Sequence, residues 1–203
     1  MRLLIATHNP GKVREYRQIL EGLAYELVSL GDIGIDDDVS ETGETYAENA
    51  LIKARAYAQQ SGLLTLADDS GLEVDALDGA PGVRSARYAG DQADDADRVR
   101  YLLTRLQGVP APQRTARFRC VIALVWPNGC EELVEGVCEG RITEEPRGGH
   151  GFGYDPVFLV AGDCRTMAEL SSEEKNRISH RARAAAKARA LLPSSPDECQ
   201  RSE

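Results

Sequence analysis

Two adjacent carboxylates, Asp68 and Asp69, follow a largely apolar run at residues 63–67 and precede a hydroxyl and a glycine. An apolar run of this length that ends near a glycine is typical of a buried strand, and open α/β sheets bind ligands where their strands end. Adjacent carboxylates repel each other unless a cation lies beside them, and Mg²⁺ with its oxygen ligands commonly fills that role. The pair therefore indicates a metal site, although Asp and Gly are also common in ordinary turns.

A second candidate site lies at residues 7–12, which join the first predicted strand to a helix. Asn9 is a preferred N-cap and Pro10 is favoured at the first helical position, so the pair predicts a helix start. Free N–H groups in that turn would bind an anion, Gly11 would let a phosphate approach the backbone, and Lys12 adds a positive charge. The Walker A spacing is absent. The alternative interpretation is a well-capped helix without a ligand.

Two further charged residues are candidates for the same site. Asn49 and Lys53 lie four residues apart on a predicted helix and so share a face. Lys53 is close to the apolar stripe of that helix, so its ammonium could reach a ligand; a solvated helix surface is the alternative. Glu41 lies in a loop that could bring another carboxylate to a metal.

The segment 148–156 contains four glycines around Phe152 and Tyr154. Glycines let a backbone approach a ligand, and an exposed aromatic face can stack on a nucleobase. The alternative is a hinge whose aromatic rings pack inward. Further along the chain, Ser171 and Glu174 have capping-box spacing and predict the start of the last helix.

The elements that must position these residues alternate between strands and helices. The predicted strands cover residues 2–7, 25–30, 63–68, 72–76, 115–126, 130–139 and 157–160, and the predicted helices cover 12–20, 44–60, 94–106 and 171–192. An Asp-Asp-Ser-Gly turn is predicted to break the strands at 63–68 and 72–76. Asn128-Gly129 is a strong hairpin signal. The pattern predicts an α/β or α+β protein with a mixed sheet, followed by a disordered tail at 193–203.

Composition restricts the class of protein and its partners. The chain has 203 residues, which suits one domain or two lobes around a shared sheet. Its net charge of −9 makes it a poor non-specific binder of nucleic acid or anionic membranes. Five cysteines without a C-x-x-C pair fit a reducing cytoplasm rather than disulfides or a zinc site. The sequence predicts no signal peptide and no membrane span.

Seven motifs, in this order, resemble those of the inosine triphosphate pyrophosphatase family over about residues 1–192. They are Thr7-His8-Asn9-Pro10-Gly11-Lys12, Glu41-Thr42-Gly43, Glu48-Asn49-Ala50 with Lys53-Ala54, Ala67-Asp68-Asp69-Ser70-Gly71, Gly79-Ala80-Pro81-Gly82 with Ser85-Ala86-Arg87-Tyr88, Gly151-Phe152-Gly153-Tyr154-Asp155-Pro156, and Ser179-His180-Arg181. The ordered set is far more specific than any one of its members.

The resemblance implies a fold, a reaction and an assembly. The fold would be mixed α/β, with a long, curved mixed sheet flanked by helices and two lobes around a central nucleotide cleft. The reaction would be Mg²⁺-dependent hydrolysis of deaminated purine nucleoside triphosphates (ITP, dITP and XTP) between the α and β phosphates, giving a monophosphate and pyrophosphate. The assembly would be a homodimer in the cytoplasm, with no nucleic-acid or membrane partner.

The resemblance also implies roles for individual residues. The metal ligands would be Glu41, Asp69 and, through water, Asp68, and Asp69 would also be the general base. The phosphates would be held by Thr7, His8, Asn9, Pro10, Gly11 and Lys12 together with Lys53, although His8 occupies a variable position and receives no individual role. Ser70 would contact the nucleotide, Phe152, Gly153, Tyr154 and Asp155 would frame the base, and Lys175, His180 and Arg181 would read the purine edge.

The chemistry of these residues agrees with such a substrate. An acidic protein that binds a tetra-anion needs local cations, and the implied site supplies lysines, an arginine and Mg²⁺. Donors from His180 and Arg181 would suit O6 of hypoxanthine and would face the amino group of adenine, a mismatch worth on the order of 10⁴ in selectivity. Guanine also carries O6, so this contact does not separate it from hypoxanthine.

Two other functions are compatible with parts of the pattern. A related pyrophosphatase could act on other modified nucleotides, but Phe152 and the pair His180-Arg181 argue against it. A non-catalytic nucleotide-binding protein would be expected to lack a metal carboxylate or the general base, and Glu41 and Asp69 are both present.

Overall fold

The computed structural model describes residues 1–192; the predicted disordered tail at 193–203 lies outside the described residues. The strands are β1 (Arg2–Ile5), β2 (Glu26–Ser29), β3 (Leu64–Val74), β4 (Thr115–Val125), β5 (Glu131–Ile142) and β6 (Phe158–Val160). The helices are α1 (Pro10–Ile19), α2 (Tyr46–Ser61), α3 (Asp95–Arg105), α4 (Ser172–Ile178) and α5 (His180–Leu191). Short 3₁₀ turns lie in several of the connections.

The six strands form one mixed sheet in the order β2-β1-β3-β4-β5-β6. Strand β1 is parallel to both β2 and β3, while β5 and β6 are antiparallel. The backbone N–H of Trp126 donates to the carbonyl of Cys130 over 2.9 Å in the connection from β4 to β5. A connection this short joins antiparallel neighbours. The mixed α/β class is confirmed, and so is the hairpin predicted from Asn128-Gly129.

One continuous strand, β3, replaces the two strands and the turn predicted across residues 63–76. The chain stays extended through Asp68 and Asp69, and Gly71 does not adopt the positive φ of a turn glycine. The prediction of a turn was wrong because β3 is also hydrogen-bonded to β4 in the sheet, and strand pairing favours extended backbone over the local turn preference of Asp and Gly.

The strand that ends near the two aspartates is β1. Its last residue, Ile5, is paired with Leu66, and the N–H of Ala6 donates to the carbonyl of Leu66 over 2.8 Å. Asp68 and Asp69 therefore lie on β3 just beyond the carboxyl end of a parallel neighbour. Open α/β sheets bind ligands at the carboxyl ends of parallel strands. The two aspartates do lie where a strand ends, as predicted, but the strand that ends there is β1.

The last predicted helix is interrupted at Ser179, which corrects the single helix predicted over residues 171–192. Ser179 has extended backbone, with φ −65° and ψ 158°, and its hydroxyl accepts a hydrogen bond from the N–H of Ala182 over 3.1 Å. Ser179 thus ends α4 and caps α5, a position that serine favours. The predicted capping box of Ser171 and Glu174 is confirmed at the start of α4. Within residues 1–192, no helix has the length and apolar character needed to cross a membrane.

The chain divides into two compact units, each with its own core. The first unit contains Met1–Asp69, Val121–Glu135 and residues 183–192, and the second contains Ser70–Cys120 and Gly136–Ala182. The core of the first unit includes Leu4, Val28, Ala50, Ala54, Tyr57, Ala67 and Ala123. The core of the second unit includes Leu72, Leu102, Phe118, Cys138, Tyr154, Phe158 and Met167.

We expect Ser179→Ala to lower the free energy of unfolding by about 1 kcal/mol, because the first turn of α5 loses its cap. Chemical denaturation monitored by circular dichroism measures this change. The matched control is Ser172→Ala at an exposed position of α4, which should change stability by about 0.5 kcal/mol or less. Equal effects of the two substitutions would contradict the capping role.

Candidate active site

Three carboxylates and two lysines lie together in the first unit. Strand β3 supplies Asp68 and Asp69, α1 supplies Lys12, α2 supplies Lys53, and the chain before α2 supplies Glu41. The Nζ atom of Lys12 lies 2.9 Å from Oδ2 of Asp68, and Nζ of Lys53 lies 3.1 Å from Oε1 of Glu41 and 4.0 Å from Oδ1 of Asp69. Asp68 and Asp69 are only 1% and 6% exposed. Sequence-distant residues are thus assembled around two buried charges.

Burial raises the pKa of Asp69 above that of an ordinary aspartic acid, because a buried carboxylate loses its hydration. The positive charges of Lys53 and Lys12 oppose this rise, whereas the negative charge of Glu41 adds to it. Asn49 also opposes it, since its Nδ2 donates to Oδ2 of Asp69 over 3.2 Å. A carboxylate with a raised pKa has a greater affinity for a proton, which is the property that a general base needs.

Asn49 is a site residue to which the sequence analysis gave no role. Its side chain is buried, donates to Asp69, and accepts a hydrogen bond from the N–H of Gly43 over 2.8 Å through Oδ1. A Cβ atom at Gly43 would lie 2.6 Å from Cβ of Glu48 and 2.8 Å from Oδ1 of Asn49, so only glycine fits there. The sequence signals for this residue were its position one helical turn before Lys53 and its place in the Glu48-Asn49-Ala50 motif.

The implied metal ligands are only partly brought together. No set of three or more Asp, Glu, His or Cys side chains within residues 1–192 is arranged to hold a metal ion. Glu41 and Asp69 nevertheless face the same ammonium group, that of Lys53. Carboxylate oxygens are the donors that Mg²⁺ prefers, and this pair already surrounds a positive charge. The donor set therefore fits a divalent cation.

The turn at residues 7–12 starts α1 as predicted, but its N–H groups are not free. Oδ1 of Asn9 accepts hydrogen bonds from the N–H groups of Gly11 and Lys12 over 2.8 and 3.1 Å, and Pro10 has no N–H. The hydroxyl of Thr7 accepts from the N–H of Asn9 over 3.2 Å. The prediction of a free backbone anion site was therefore wrong, because the cap that starts the helix also uses its donors. The ammonium of Lys12 is the charged group that this segment contributes.

In the second unit, Lys175 and Asp155 form a buried ion pair, with 2.5 Å from Nζ to Oδ2. The same carboxylate oxygen accepts from the N–H of Phe152 over 3.0 Å. The Nζ atom of Lys175 also lies 4.9 Å from the centre of the Phe152 ring. Asp155 therefore fixes both the lysine and the backbone of the glycine-rich loop, rather than standing open to a ligand.

Arg181 and His180 follow the break at Ser179 and lie beside aromatic rings. An Arg181 nitrogen donates to the hydroxyl of Ser70 over 3.1 Å, and its guanidinium carbon lies 5.5 Å from the centre of the Phe152 ring. His180 stacks on Phe118 at 4.7 Å between ring centres. Both side chains are buried, whereas Phe152 is half-buried. The second unit thus presents one aromatic face flanked by cationic side chains.

Tyr154 differs from the predicted base-stacking role. It is 4% exposed, and its hydroxyl donates to the carbonyl of Ser85 over 2.9 Å. The hydroxyl of Ser85 in turn accepts from the N–H of Leu72 on β3 over 2.9 Å. Gly153 is fixed through its N–H, which donates to Asp95 over 2.7 Å. Inward packing, the alternative interpretation of this loop, is correct for Tyr154, because its ring completes the core of the second unit.

The family model described as the Ham1 family matches residues 3–191. The chain belongs to the Ham1 family. Among its Ham1 relatives, a protein named dITP/XTP pyrophosphatase from Bacillus subtilis is 53% identical over 93% of this chain and 96% of the relative. Another of that name, from Symbiobacterium thermophilum, is 56% identical over 97% and 98%. These findings confirm the family expected from the ordered motifs.

Solved structures of Ham1 proteins have the same fold. The Coxiella burnetii HAM1 protein has a TM-score of 0.86 and 44% identity, and the match covers 96% of this chain and all of that chain. The dITP/XTP pyrophosphatase of Mycobacterium abscessus has a TM-score of 0.74 and 49% identity over 95% of this chain and all of that chain. Mixed α/β architecture is therefore shared by this chain and its Ham1 relatives.

We expect Gly151→Ala to destabilise the second unit. Gly151 has φ of +78°, and a Cβ atom there would lie 2.0 Å from Oδ2 of Asp155. Left-handed backbone alone costs a non-glycine residue about 1–2 kcal/mol, and the collision would displace the partner of Lys175 as well. Gly149→Ala is the matched control, because its Cβ would meet nothing within 4 Å. Thermal unfolding should separate the two variants, and equal melting temperatures would contradict this packing.

We also expect the pKa of Asp69 in metal-free protein to respond to its two charged neighbours in opposite directions. Lys53→Met should raise it further, since a positive charge is lost, and Glu41→Gln should lower it, since a negative charge is lost. In the wild type, acidification should neutralise Asp69 at a higher pH than an ordinary aspartate. Carbon-detected NMR titration of the carboxyl group measures all three values. A lower pKa in Lys53→Met would contradict the electrostatic account.

Proposed function

We propose that this Ham1 protein hydrolyses deaminated purine nucleoside triphosphates (ITP, dITP and XTP) to monophosphate and pyrophosphate, and so removes them from the nucleotide pool. Two of the relatives above carry the name dITP/XTP pyrophosphatase, which supports this substrate class. The observation that carries the proposal is the environment of Asp69, a buried carboxylate with a raised pKa that is oriented by Asn49 and flanked by Lys53. This arrangement suits proton abstraction from water beside an anionic substrate.

Asp69 acts as the general base in this proposal. Its Oδ2 atom is held by Asn49, so Oδ1 is the oxygen that takes a proton from water. The resulting hydroxide attacks the α-phosphorus, and the bond from that phosphorus to the oxygen bridging to the β-phosphorus breaks. The bridging oxygen leaves with the β and γ phosphates as pyrophosphate, and the proton remains on Asp69 until it passes to solvent.

Lys12 and Lys53 supply positive charge for the phosphates. In a chain with a net charge of −9, a tetra-anion is bound only where local cations offset the repulsion. Both ammonium groups are mostly buried against carboxylates, where a Coulomb interaction is stronger than in water. We propose that they exchange these carboxylates for phosphate oxygens when substrate binds, and that Thr7 contacts the same phosphates.

Glu41 and Asp69, supported by Asp68, are the residues that would hold Mg²⁺. When bound, this cation neutralises charge that develops on the phosphates. Lys53 lies 3.1 Å from Glu41 in the structure and neutralises the same carboxylate. Its ammonium therefore keeps the two carboxylates from repelling each other before a cation arrives.

The purine is assigned to the second unit. Phe152 offers a half-buried ring on which a base can stack, with Lys175 and Arg181 beside it. Arg181 and His180 carry N–H donors suited to O6 of hypoxanthine or xanthine, and donors facing the amino group of adenine would be left without an acceptor. Ser70, which accepts a hydrogen bond from Arg181, fixes the orientation of that guanidinium.

A cytoplasmic homodimer is part of the same proposal, as the family resemblance implies.

We expect Asp69→Asn to lower kcat for dITP by on the order of 10²–10⁴, because the amide cannot accept the proton from water. Binding of dITP should persist, since the phosphate and base contacts remain. Pyrophosphate release measures turnover, and calorimetry measures binding. Asp91→Asn, at an exposed position, is the matched control. Turnover that survives in Asp69→Asn would show that another residue is the base.

A further inference from the structure

Two residues that receive no individual role above, His8 and Tyr57, hold the segment that carries Glu41. Residues 36–41, called here the acidic segment, form no helix or strand and include four carboxylates. The Nε2 atom of His8 lies 3.1 Å from the backbone carbonyl oxygen of Asp37. The hydroxyl of Tyr57 lies 3.0 Å from the same oxygen. A side chain from the connection between β1 and α1 and a side chain from α2 therefore meet at one carbonyl.

The chemistry of the carbonyl determines the direction of both hydrogen bonds. A carbonyl oxygen can only accept, and it has two lone pairs, so Nε2–H of His8 and the hydroxyl of Tyr57 are both donors. The two donors also lie 3.3 Å apart, and their rings meet edge to face with 6.2 Å between centres. His8 and Tyr57 therefore contact each other as well as the carbonyl of Asp37.

Tyr57 is held in place by its burial in the core. The residue is 1% exposed and belongs to the core of the first unit, in which Val39 of the acidic segment also packs. Burial raises the pKa of the Tyr57 hydroxyl, as do the nearby charges of Asp38, Asp37 and Glu41, while a backbone hydrogen bond from Val39 opposes the rise. The hydroxyl therefore keeps its proton and remains a donor at neutral pH.

The acidic segment needs such anchors because its own charges oppose order. Asp36, Asp37, Asp38 and Glu41 are close in sequence and repel one another. Beyond Glu41, the N–H of Gly43 is held by Asn49. Tyr57 lies one helical turn after Lys53, the lysine that contacts Glu41. Contacts at Asp37 and at Gly43 thus fix the chain on both sides of Glu41.

We propose that His8 and Tyr57 are positioning residues for Glu41: by donating to the carbonyl of Asp37, they hold the acidic segment so that Glu41 is preorganised to bind a divalent cation. The inference rests on the proposed function, in which Glu41 holds the cation. In this proposal His8 orients the acidic segment instead of binding the phosphates of the substrate. Tyr57 joins the residues on which the site depends.

The direct test is Tyr57→Phe, which removes one hydroxyl and keeps the ring. Mn²⁺ binding to nucleotide-free protein, measured by electron paramagnetic resonance, should weaken on the order of 2- to 10-fold, as expected for the loss of one hydrogen bond. The Mg²⁺ concentration for half-maximal turnover should rise by a similar factor, while KM for dITP at saturating Mg²⁺ stays unchanged. Amide hydrogen exchange across residues 36–41 should become faster. Tyr88→Phe is the matched control, because its hydroxyl has no hydrogen-bond partner within residues 1–192.

His8 offers a rescue experiment. His8→Leu removes the donor and should reproduce the loss of Mn²⁺ affinity, whereas His8→Gln retains an N–H donor and should restore much of it. Equal loss in both variants would overturn the role of the donor. Unchanged Mn²⁺ affinity and unchanged exchange in Tyr57→Phe would overturn the proposal as well.

Glu41→Gln separates this inference from the function on which it rests. If Glu41→Gln weakens Mn²⁺ binding and Tyr57→Phe does not, the metal assignment stands and the positioning role is wrong. If Glu41→Gln leaves Mn²⁺ binding unchanged, Glu41 is not a metal ligand, and both the assignment and the positioning role fail. Pyrophosphate release from dITP in the wild type tests the reaction independently of either outcome.

Discussion

The burial of two adjacent negative charges on β3 is the constraint around which the first unit is organised. A buried carboxylate is strongly unfavourable unless it is paired with charge and hydrogen bonds. Lys12 of α1 compensates Asp68, and Lys53 and Asn49 of α2 compensate Asp69. Compensation is incomplete for Asp69, whose pKa remains raised by burial. The charged form of Asp69 is therefore still destabilised, and this makes Asp69 suited to accept a proton or a cation.

The position of the pair depends on the unequal lengths of neighbouring strands. Strand β1 ends at Ile5, whereas its parallel neighbour β3 continues to Val74. Beyond β1 the chain turns into α1, whose start is fixed by the Asn9 cap. Since β1 and α1 are joined by only a few residues, the first turn of α1 must lie close to the part of β3 that β1 leaves uncovered. The contact between Lys12 and Asp68 follows from this connection.

Local signals in the sequence were sufficient where a short-range interaction determines the structure. The Asn9-Pro10 helix start, the Ser171 capping box and the Asn128-Gly129 hairpin depend on neighbouring residues, and all three are present. The apolar stripe expected on this helix is present in α2, where Ala50 and Ala54 lie in the core. Lys53, chosen for its closeness to that stripe, does reach Glu41 and Asp69.

Predictions failed where partners distant in sequence override local preference. Strand β3 remains extended from Asp68 to Gly71 as a sheet neighbour of β4, although that tetrapeptide favours a turn. The break at Ser179 lies between two segments that both favour helix, so periodicity alone gave no sign of it. Tyr154 is buried in the core of the second unit, where its hydroxyl donates to the carbonyl of Ser85, which is 69 residues away. The role of Asn49 depends on two partners, Gly43 and Asp69, that become neighbours only in the folded chain.

The most direct test of the account is phosphate analysis after incubation of the enzyme with Mg²⁺ and, separately, dITP, XTP, dGTP and dATP. We expect rapid release of pyrophosphate from dITP and XTP and very slow release from dATP. The rate with dGTP shows how far selectivity extends beyond the O6 contact. Equal release from dITP and dATP would contradict the assignment of base recognition to Arg181 and His180. Orthophosphate in place of pyrophosphate would contradict cleavage between the α and β phosphates, and with it the role of Asp69 proposed here.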